Sequence, residues 1–491
     1  MSKYTPFAFL VLIILLGFSA CQKDNTFTGT TPMLKTSLDT MTFDTVFTTV
    51  GSATRSFKIY NIEQEDIYVS VALKNQNSKF RLNVDGTAGN SINEVFIAGG
   101  DSVYVFADVT VDPDQPLSIS PFVIEEYLTI TASNTTKEIL LVAWGQNANY
   151  VPQSKRTGSI SLLSCDLESE TWDDPKPYVI YGVLLVDSCD LIIPEGTDIY
   201  VHGGLVRADE QLYNEGFLIV LKDGKIIANG SNEHPITFQG DRLEGSFDDV
   251  AGQWVGIRLF SGSQGNIFNH VMIKNSIVGI RVDSAAQLTM NACEIHNTSS
   301  IGLLGIRSTI TATNTLIYNT GQQSAVLTYG GNYNFEHCTF ASYGNQSSAL
   351  RFDNFKCTDP PLCQEIVYVN DLNANFKNCI FTGNEKDEIS LIDWTDGEDP
   401  SLFNYSMTNC AVKVDEILNN NQHPDFFDYC TNCIRLNNND TIFIDLENQD
   451  FHLDTMSIMI DKGLFISQLN TDLEENPRDN NPDIGCYEFQ K

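Results

Sequence analysis

Six short segments at nearly constant intervals constrain this chain more than any other feature in it. Val271-Met272-Ile273, Cys293-Glu294-Ile295, Thr315-Leu316-Ile317, Cys338-Thr339-Phe340, Cys379-Ile380-Phe381 and Cys410-Ala411-Val412 follow one another at steps of 22, 22, 23, 41 and 31 residues. Turn-type residues stand at a fixed offset after the first five: Asn275, Asn297, Asn319, Ser342 and Gly383. A second column, Asn314, His337, Asn378 and Asn409, stands just before the triplets. Another strand recurs as Gly279-Ile280-Arg281-Val282, Gly302-Leu303-Leu304, Ala325-Val326-Leu327 and Ala349-Leu350-Arg351-Phe352. A unit of this length, with two or three short strands and polar turns, cannot bury an apolar face alone, so it must stack on its neighbours. The pattern predicts a parallel β-helix with coils roughly 4.8 Å apart. Ile273, Ile295, Ile317, Phe340, Phe381 and Val412 then form one inward column, and Val271, Cys293, Thr315, Cys338, Cys379 and Cys410 the next. The long step predicts an excursion near Asp353–Asp371, where Cys357 and Cys363 read as a small loop pinned by a disulfide.

Upstream the periodicity changes. From about Leu34 to Tyr150 apolar and polar residues alternate, as in Val69-Ser70-Val71-Ala72-Leu73, Val103-Tyr104-Val105-Phe106-Ala107 and Leu128-Thr129-Ile130. Asp85-Gly86 and Gly99-Gly100-Asp101 supply turns. Period two with short strands predicts a sandwich of immunoglobulin-like pattern. The predicted fold class is all-β: an N-terminal β-sandwich over residues 36–150, a right-handed parallel β-helix over 151–447, and a C-terminal capping segment over 448–491. The run Asp44-Thr45-Val46-Phe47, with Gly51-Ser52 and Ile59-Tyr60-Asn61, resembles sandwich domains at the head of larger bacterial surface proteins.

Lys3, the apolar run Phe7 to Phe18, and the small residues Ser19 and Ala20 read as an export signal over residues 1–20. Followed by Cys21, this arrangement resembles the bacterial lipobox. The resemblance implies that Cys21 carries diacylglycerol as the first mature residue, each buried CH₂ adding roughly 0.8 kcal/mol of anchoring. Residues 21–35, polar and Thr-rich, read as a flexible tether. Gln22-Lys23-Asp24 resembles surface-export tags of Gram-negative lipoproteins. The implied address is the outer membrane of a Gram-negative bacterium, facing the periplasm or the surface, with the membrane lipid as a partner.

Leu191 to Thr197, Asp223 to Gly230, His234 to Phe238 and Gly252 to Ile257 resemble the opening coils of right-handed β-helix proteins of the pectate-lyase-like superfamily. Asp450-Phe451-His452-Leu453, Ile460-Asp461-Lys462-Gly463 and Asp483-Ile484-Gly485-Cys486-Tyr487-Glu488 resemble the terminal segment of the choice-of-anchor Q family. These resemblances imply the fold. They leave activity open, because such coils carry lyases, hydrolases, adhesins and scaffolds.

The formal charge of −34 excludes nucleic acid as a partner, since no Lys/Arg cluster offers phosphate contacts. Among outward positions of the second strand the sequence points to Arg281, Leu304, Leu327 and Arg351. Asp283 and Asp353 follow two residues after the arginines, in matching register three coils apart, roughly 14 Å at ordinary strand spacing. Arg281, Asp283, Arg351 and Tyr329 are the candidate binding residues. Tyr318, Tyr329 and Tyr343 offer rings for stacking on sugars. Asp353 and Asp393 are the candidate catalytic acids, should the coil be a lyase or an inverting hydrolase, which needs two carboxyl groups roughly 6.5–9.5 Å apart. No tight carboxylate cluster is spelled out. No cofactor is implied and no histidine or cysteine spacing assigns a metal, although Asp108 to Asp114, Asp173-Asp174 and Asp396 to Asp399 leave Ca²⁺ as an option. Cys430 and Cys433 are expected to close a local disulfide, as Cys357 and Cys363 are, in an exported protein. The remaining coil cysteines are expected to act as small hydrophobes. No pattern assigns an oligomeric state. The expectation is a membrane-anchored, exported β-helix protein that binds or adheres without catalysis, with glycans as the ligand class. The alternatives are a polysaccharide lyase or glycoside hydrolase on the coil flank, and a structural component of an envelope assembly.

Overall fold

The computed structural model describes residues 26–490 except 30, 48–51, 53, 76, 111–121, 153–159, 166–168, 209–210, 244 and 420–422. Cys21 and the segment before it lie outside the described residues. The chain forms two units, Met1–Asn147 and Ala148–Lys491.

The first unit is a sandwich of two five-stranded sheets. Strand alternation places one face of each strand inside. Ile67–Leu73 buries Ile67, Val69, Val71 and Leu73 and turns the residues between them outward. Phe43, Phe57, Phe80, Leu82, Val105, Leu128, Ile130 and Leu141 fill the space between the sheets. Among the described residues its strand pairings are antiparallel except that Thr40–Phe47 runs parallel to Thr135–Gln146, and an isolated parallel bridge joins Thr26 to Asp66. Asp85 and Gly86 both take positive φ, as their turn requires.

The second unit is a parallel β-helix with three faces, here A, B and C. Face A is an eleven-stranded parallel sheet running from Asn149–Val151 to Ile434–Arg435. Faces B and C share a seventeen-stranded sheet, because Leu303–Thr313 and Ala325–Glu336 continue round the corner from one to the other. Ile273, Ile295, Ile317, Phe340, Phe381 and Val412 are direct register partners in succession, as the repeat predicts. All are buried, and Phe340 stacks on Phe381 at 5.1 Å. Cys293, Cys338, Cys379 and Cys410 are fully buried beside them, and each thiol donates to a backbone carbonyl, Cys338 to Ala312 O for example. Gly279 and Gly302 precede the face B strands for a steric reason. A Cβ there would lie 2.5 Å from Gly302 O or 2.7 Å from Ser324 O of the next coil.

Two expectations are corrected. The face B register pairs Leu304 with Val326 and Gly305 with Leu327. Val326, not Leu327, therefore belongs with Arg281 and Arg351, and Leu327 points into the core. A one-residue slip inverts every side chain in a strand, and the turn before Ala325 is one residue shorter than the Gly302 alignment assumes. The Cys430–Cys433 disulfide does not form; both cysteines are free. Cys433-Ile434-Arg435 is another triplet, with Ile434 on Ala411, so Cys433 extends the thiol column above Cys410. Cys430 sits on the face C strand Cys430–Thr431, and Asn432 between them turns the corner at φ 55°. Cys357 and Cys363 are paired, and Cys165 and Cys189, unremarked in the sequence, form a second bridge.

The Asn column has a structural purpose that its periodicity does not reveal. Asn314, His337, Asn378 and Asn409 all take left-handed φ between 47° and 53°, a conformation asparagine tolerates. Their side chains then reach out from the coil to the C-terminal segment. Asn378 bonds Leu464 through both N–H and C=O, Asn314 bonds Thr471, and Asn409 bonds Lys462. Buried Arg478 ties the same region together, donating to Asn314 Oδ1, Gly485 O and Cys486 O and pairing with Glu488 at 3.0 Å. Leu316, Ala341, Ile380 and Ala411, which face outward on face A, share a second apolar core with Phe451, Met459, Leu473, Ile484 and Tyr487. The segment thus lies along the side of the coil, reaching back to Asn232 through Glu474 O. Tyr318 is buried beneath it, between His296 and Phe451, and is not available to a sugar.

Candidate functional site

Face B carries the site. Its outward column reads Arg258, Arg281, Leu304, Val326, Arg351 and Ser390, each paired with the next. The adjoining column, two residues further along the chain, reads Asp283, Ile306, Thr328 and Asp353. Arg258, Arg281 and Arg351 of the first column and all four residues of the second line a cleft of about 760 Å³. Charged residues cluster at the two ends, and Ile306 and Thr328 lie between them.

At one end a single carboxylate holds two arginines. Asp283 Oδ2 accepts Arg258 Nε at 2.6 Å and Oδ1 accepts Arg281 Nε at 2.7 Å. Both guanidiniums are gripped through Nε, so their amino groups bond no side chain or carbonyl among the described residues. At the other end Asp353 Oδ1 accepts Thr328 Oγ1 at 2.6 Å and Tyr329 N at 3.0 Å, while Oδ2 accepts Arg351 Nη2 at 3.3 Å. Arg351 Nε is buried and has no partner. Both aspartates are nearly inaccessible. Carboxylates so enclosed and already bonded at both oxygens serve as clamps. Their near-complete burial also leaves little approach path to either carboxylate from the cleft.

Tyr329 stands at the corner between faces B and C with φ 65°. This left-handed conformation is unusual for an aromatic residue and is held here by its N–H bond to Asp353. Its ring lies 5.8 Å from the Arg307 guanidinium and 5.9 Å from the Lys356 ammonium. Lys356 belongs to the predicted excursion. There Phe355–Cys357 pairs antiparallel with Val367–Val369, and the Cys357–Cys363 disulfide closes the tip. Phe355, Lys356, Pro360 and Pro361 of this arm wall the cleft, and Phe355 packs on Trp394 at 4.8 Å.

The structure therefore brings Arg281, Asp283, Tyr329, Arg351 and Asp353 into one cleft. Asp393 lies elsewhere. Its oxygens accept Asn354 Nδ2, Thr395 N, Thr395 Oγ1 and Gly397 N. Burial opposes its ionisation, but the Thr395 and Gly397 bonds outweigh burial and hold its carboxyl below the usual range. It organises a turn. A neighbouring cleft of about 950 Å³ is lined by Asp387, Asp393, Asp396, Asp425, His423 and Tyr429. Among the described residues no three His, Cys, Asp or Glu side chains converge on a point that a metal ion would fill.

Sequence reading missed Arg258, Phe260 and Lys356, and that the predicted excursion would wall the cleft. A signal for Arg258 was present: Gly256-Ile257-Arg258-Leu259 repeats Gly279-Ile280-Arg281-Val282 at a step of 23. No local signal marks the arm as a wall, because where an excursion lands depends on tertiary contacts.

No family model and no curated protein matches the chain. Among solved structures, the catalytic unit of a thermostable alpha-1,3-glucanase from Streptomyces thermodiastaticus is similar over 73% of this chain and 79% of its own, at 10% identity and TM-score 0.22. PapD-like domain 7 of human CEP192 is similar over 27% of this chain and 97% of its own, at 6% identity and TM-score 0.19. A family 123 glycoside hydrolase from Clostridium perfringens is similar over 23% of this chain and 26% of its own, at 8% identity and TM-score 0.17. Likeness at this level carries no functional argument, and the fold assignment rests on the strand registers.

Proposed function

We propose that this chain is an exported lipoprotein whose β-helix binds glycans in the face B cleft without transforming them. The supporting observation is the cleft itself, a concave site on stacked strands, lined by the Tyr329 ring and by guanidinium groups whose positions two buried aspartates fix. Preorganised polar groups beside an aromatic surface are what sugar recognition requires, because each hydroxyl must exchange water for a protein partner while the apolar ring face is covered. Asp283 and Asp353, consumed as clamps, favour binding over turnover. Lipidation at Cys21, outer-membrane location, an immunoglobulin-like sandwich serving as spacer and a terminal segment of the choice-of-anchor Q kind complete the proposal, with Ca²⁺ as an optional ligand of the acidic loops.

Full-length chain is titrated calorimetrically against a panel of neutral and acidic oligosaccharides, and products are followed in parallel. Saturable binding that Tyr329→Ala weakens at least about tenfold, with no product formed, is the expected result. Steady release of shortened or unsaturated sugars, abolished by Asp353→Ala without a change in melting temperature, would establish the lyase or hydrolase reading in its place.

A further inference from the structure

The charge in the cleft runs opposite to that of the rest of the chain. Against a formal −34 overall, each end of the cleft carries a local surplus of cations. Arg258 and Arg281 against Asp283 leave one net positive charge at the first end; Arg351 and Lys356 against Asp353 leave one at the second. Arg281 and Arg351 share an outward column with Leu304 and Val326 between them, so three coil steps, about 14 Å, separate the two cationic ends. The ends are also equipped to bind. The amino groups of Arg258 and Arg281 bond nothing else among the described residues, and the half-exposed Arg351 guanidinium is engaged only through Nη2, by Asp353. Guanidinium N–H groups left open in this way are donors that an anionic oxygen can take up in charge-assisted bonds. Between the ends the cleft is lined by Ile306, Thr328 and the Tyr329 ring, and Arg307 stands 5.8 Å from that ring, outside the lining.

We infer that the cleft takes an anionic oligosaccharide lying along the coil axis, with one carboxylate or sulfate at the Arg258–Arg281 end, another at the Arg351–Lys356 end, and uncharged sugar between. This rests on the glycan-binding reading and narrows it to a ligand class and a two-point mode. The surrounding acidic surface repels polyanions at long range, so capture of one is attributable to the cleft rather than to diffuse attraction. Two stations on one rigid face also make length decisive. A ligand reaching both gains its second contact without a second cost in translational freedom.

The test is titration of the full-length chain with four probes: a hyaluronan hexasaccharide, its disaccharide, a heparin hexasaccharide, and neutral chitohexaose. At least one anionic hexasaccharide is expected to bind about tenfold or more tighter than both the disaccharide and chitohexaose; which one binds identifies carboxylate or sulfate as the preferred group. Arg281→Ala leaves Asp283 paired with Arg258, and Lys356→Ala alters an outlying arm residue. Each is expected to bring the hexasaccharide down towards disaccharide affinity with an unchanged melting curve. Equal binding of chitohexaose, insensitive to both substitutions, would overturn the inference and leave glycan binding standing. Equal affinity for disaccharide and hexasaccharide would overturn the two-point mode. Failure of these four probes, with binding of another glycan from the wider panel, would also overturn the inference. Binding of no glycan at all would overturn the underlying reading.

Discussion

Asn378→Ala isolates the device that fastens the C-terminal segment to the coil. Asn378 is fully buried, and its amide donates to His337 Nε2 and to Leu464 O, both at 2.7 Å, while Oδ1 accepts Leu464 N at 2.7 Å. His337 Nδ1 faces Gly485 O at 3.2 Å and must be the protonated nitrogen, which leaves Nε2 as the acceptor. Burial, reinforced by Arg478, holds this histidine well below its ordinary pKa, in keeping with a neutral ring. Truncation leaves His337 Nε2 without a partner in the interior, at about 1–3 kcal/mol. The two Leu464 groups are freed nearer the surface, where water can replace part of the loss, so they add about 1 kcal/mol together. Alanine forced to φ 53° adds about 1 kcal/mol more. The sum is about 3–5 kcal/mol. With the same φ cost included, Asn314→Ala, which gives up Thr471 O and Arg478 Nη2, should cost about 3 kcal/mol, and Asn409→Ala, with its one bond to Lys462 O, about 2 kcal/mol. Urea unfolding gives the three values, and amide exchange at Leu464 shows whether the segment detaches first. Equal costs for all three substitutions, or less than about 1 kcal/mol for Asn378→Ala, would refute the fastening role.

Ile295→Asp places an unpaired carboxylate in the face A column and should cost about 4 kcal/mol or more, enough to lose the cooperative melt of the coil; a wild-type melt would contradict the inward register. Burial, reinforced by Glu474, pushes the Glu294 carboxyl up to about 7, and burial does the same to Glu388 against the N–H bonds it accepts from Glu385 and Ala349. A carboxyl whose folded pKa exceeds its unfolded value of 4.5 binds a proton on folding between the two, so stability falls as pH rises from about 4.5 to about 7. Glu294→Gln should therefore stabilise the chain by about 1–2 kcal/mol at pH 8 and be near neutral at pH 4.5, as chemical unfolding at the two pH values will show. Hydrogen bonds with Cys410 and Cys430 draw the Cys433 thiol below its ordinary pKa. Alkylation of the folded, unreduced chain should label Cys433 first and leave Cys165, Cys189, Cys357 and Cys363 unlabelled until reduction. A Cys430–Cys433 cross-link in the peptide map would contradict the free pair.

The coil was legible because its cause is local. A coil of fixed circumference returns the chain to the same face every 22 or 23 residues, and strand alternation fixes which side chains enter the core, so Ile273 to Val412 could be aligned by counting. Arg281 with Asp283, and Arg351 with Asp353, could be placed in register by the same arithmetic. Where counting met a turn of altered length it slipped by one residue, and Leu327 took the place of Val326. A CxxC spacing carries no information about a corner, so Cys430 and Cys433 were joined when the chain in fact turns between them from one face to the next. What the tertiary structure alone decided is everything that departs from the coil and returns to it. The arm from Phe355 to Val369 becomes a wall of the cleft, and the terminal segment crosses back over face A to meet residues as far away as Asn232. Contacts across such separations follow from the shape and charge of surfaces that exist only once the coil has stacked. No period in the sequence records them.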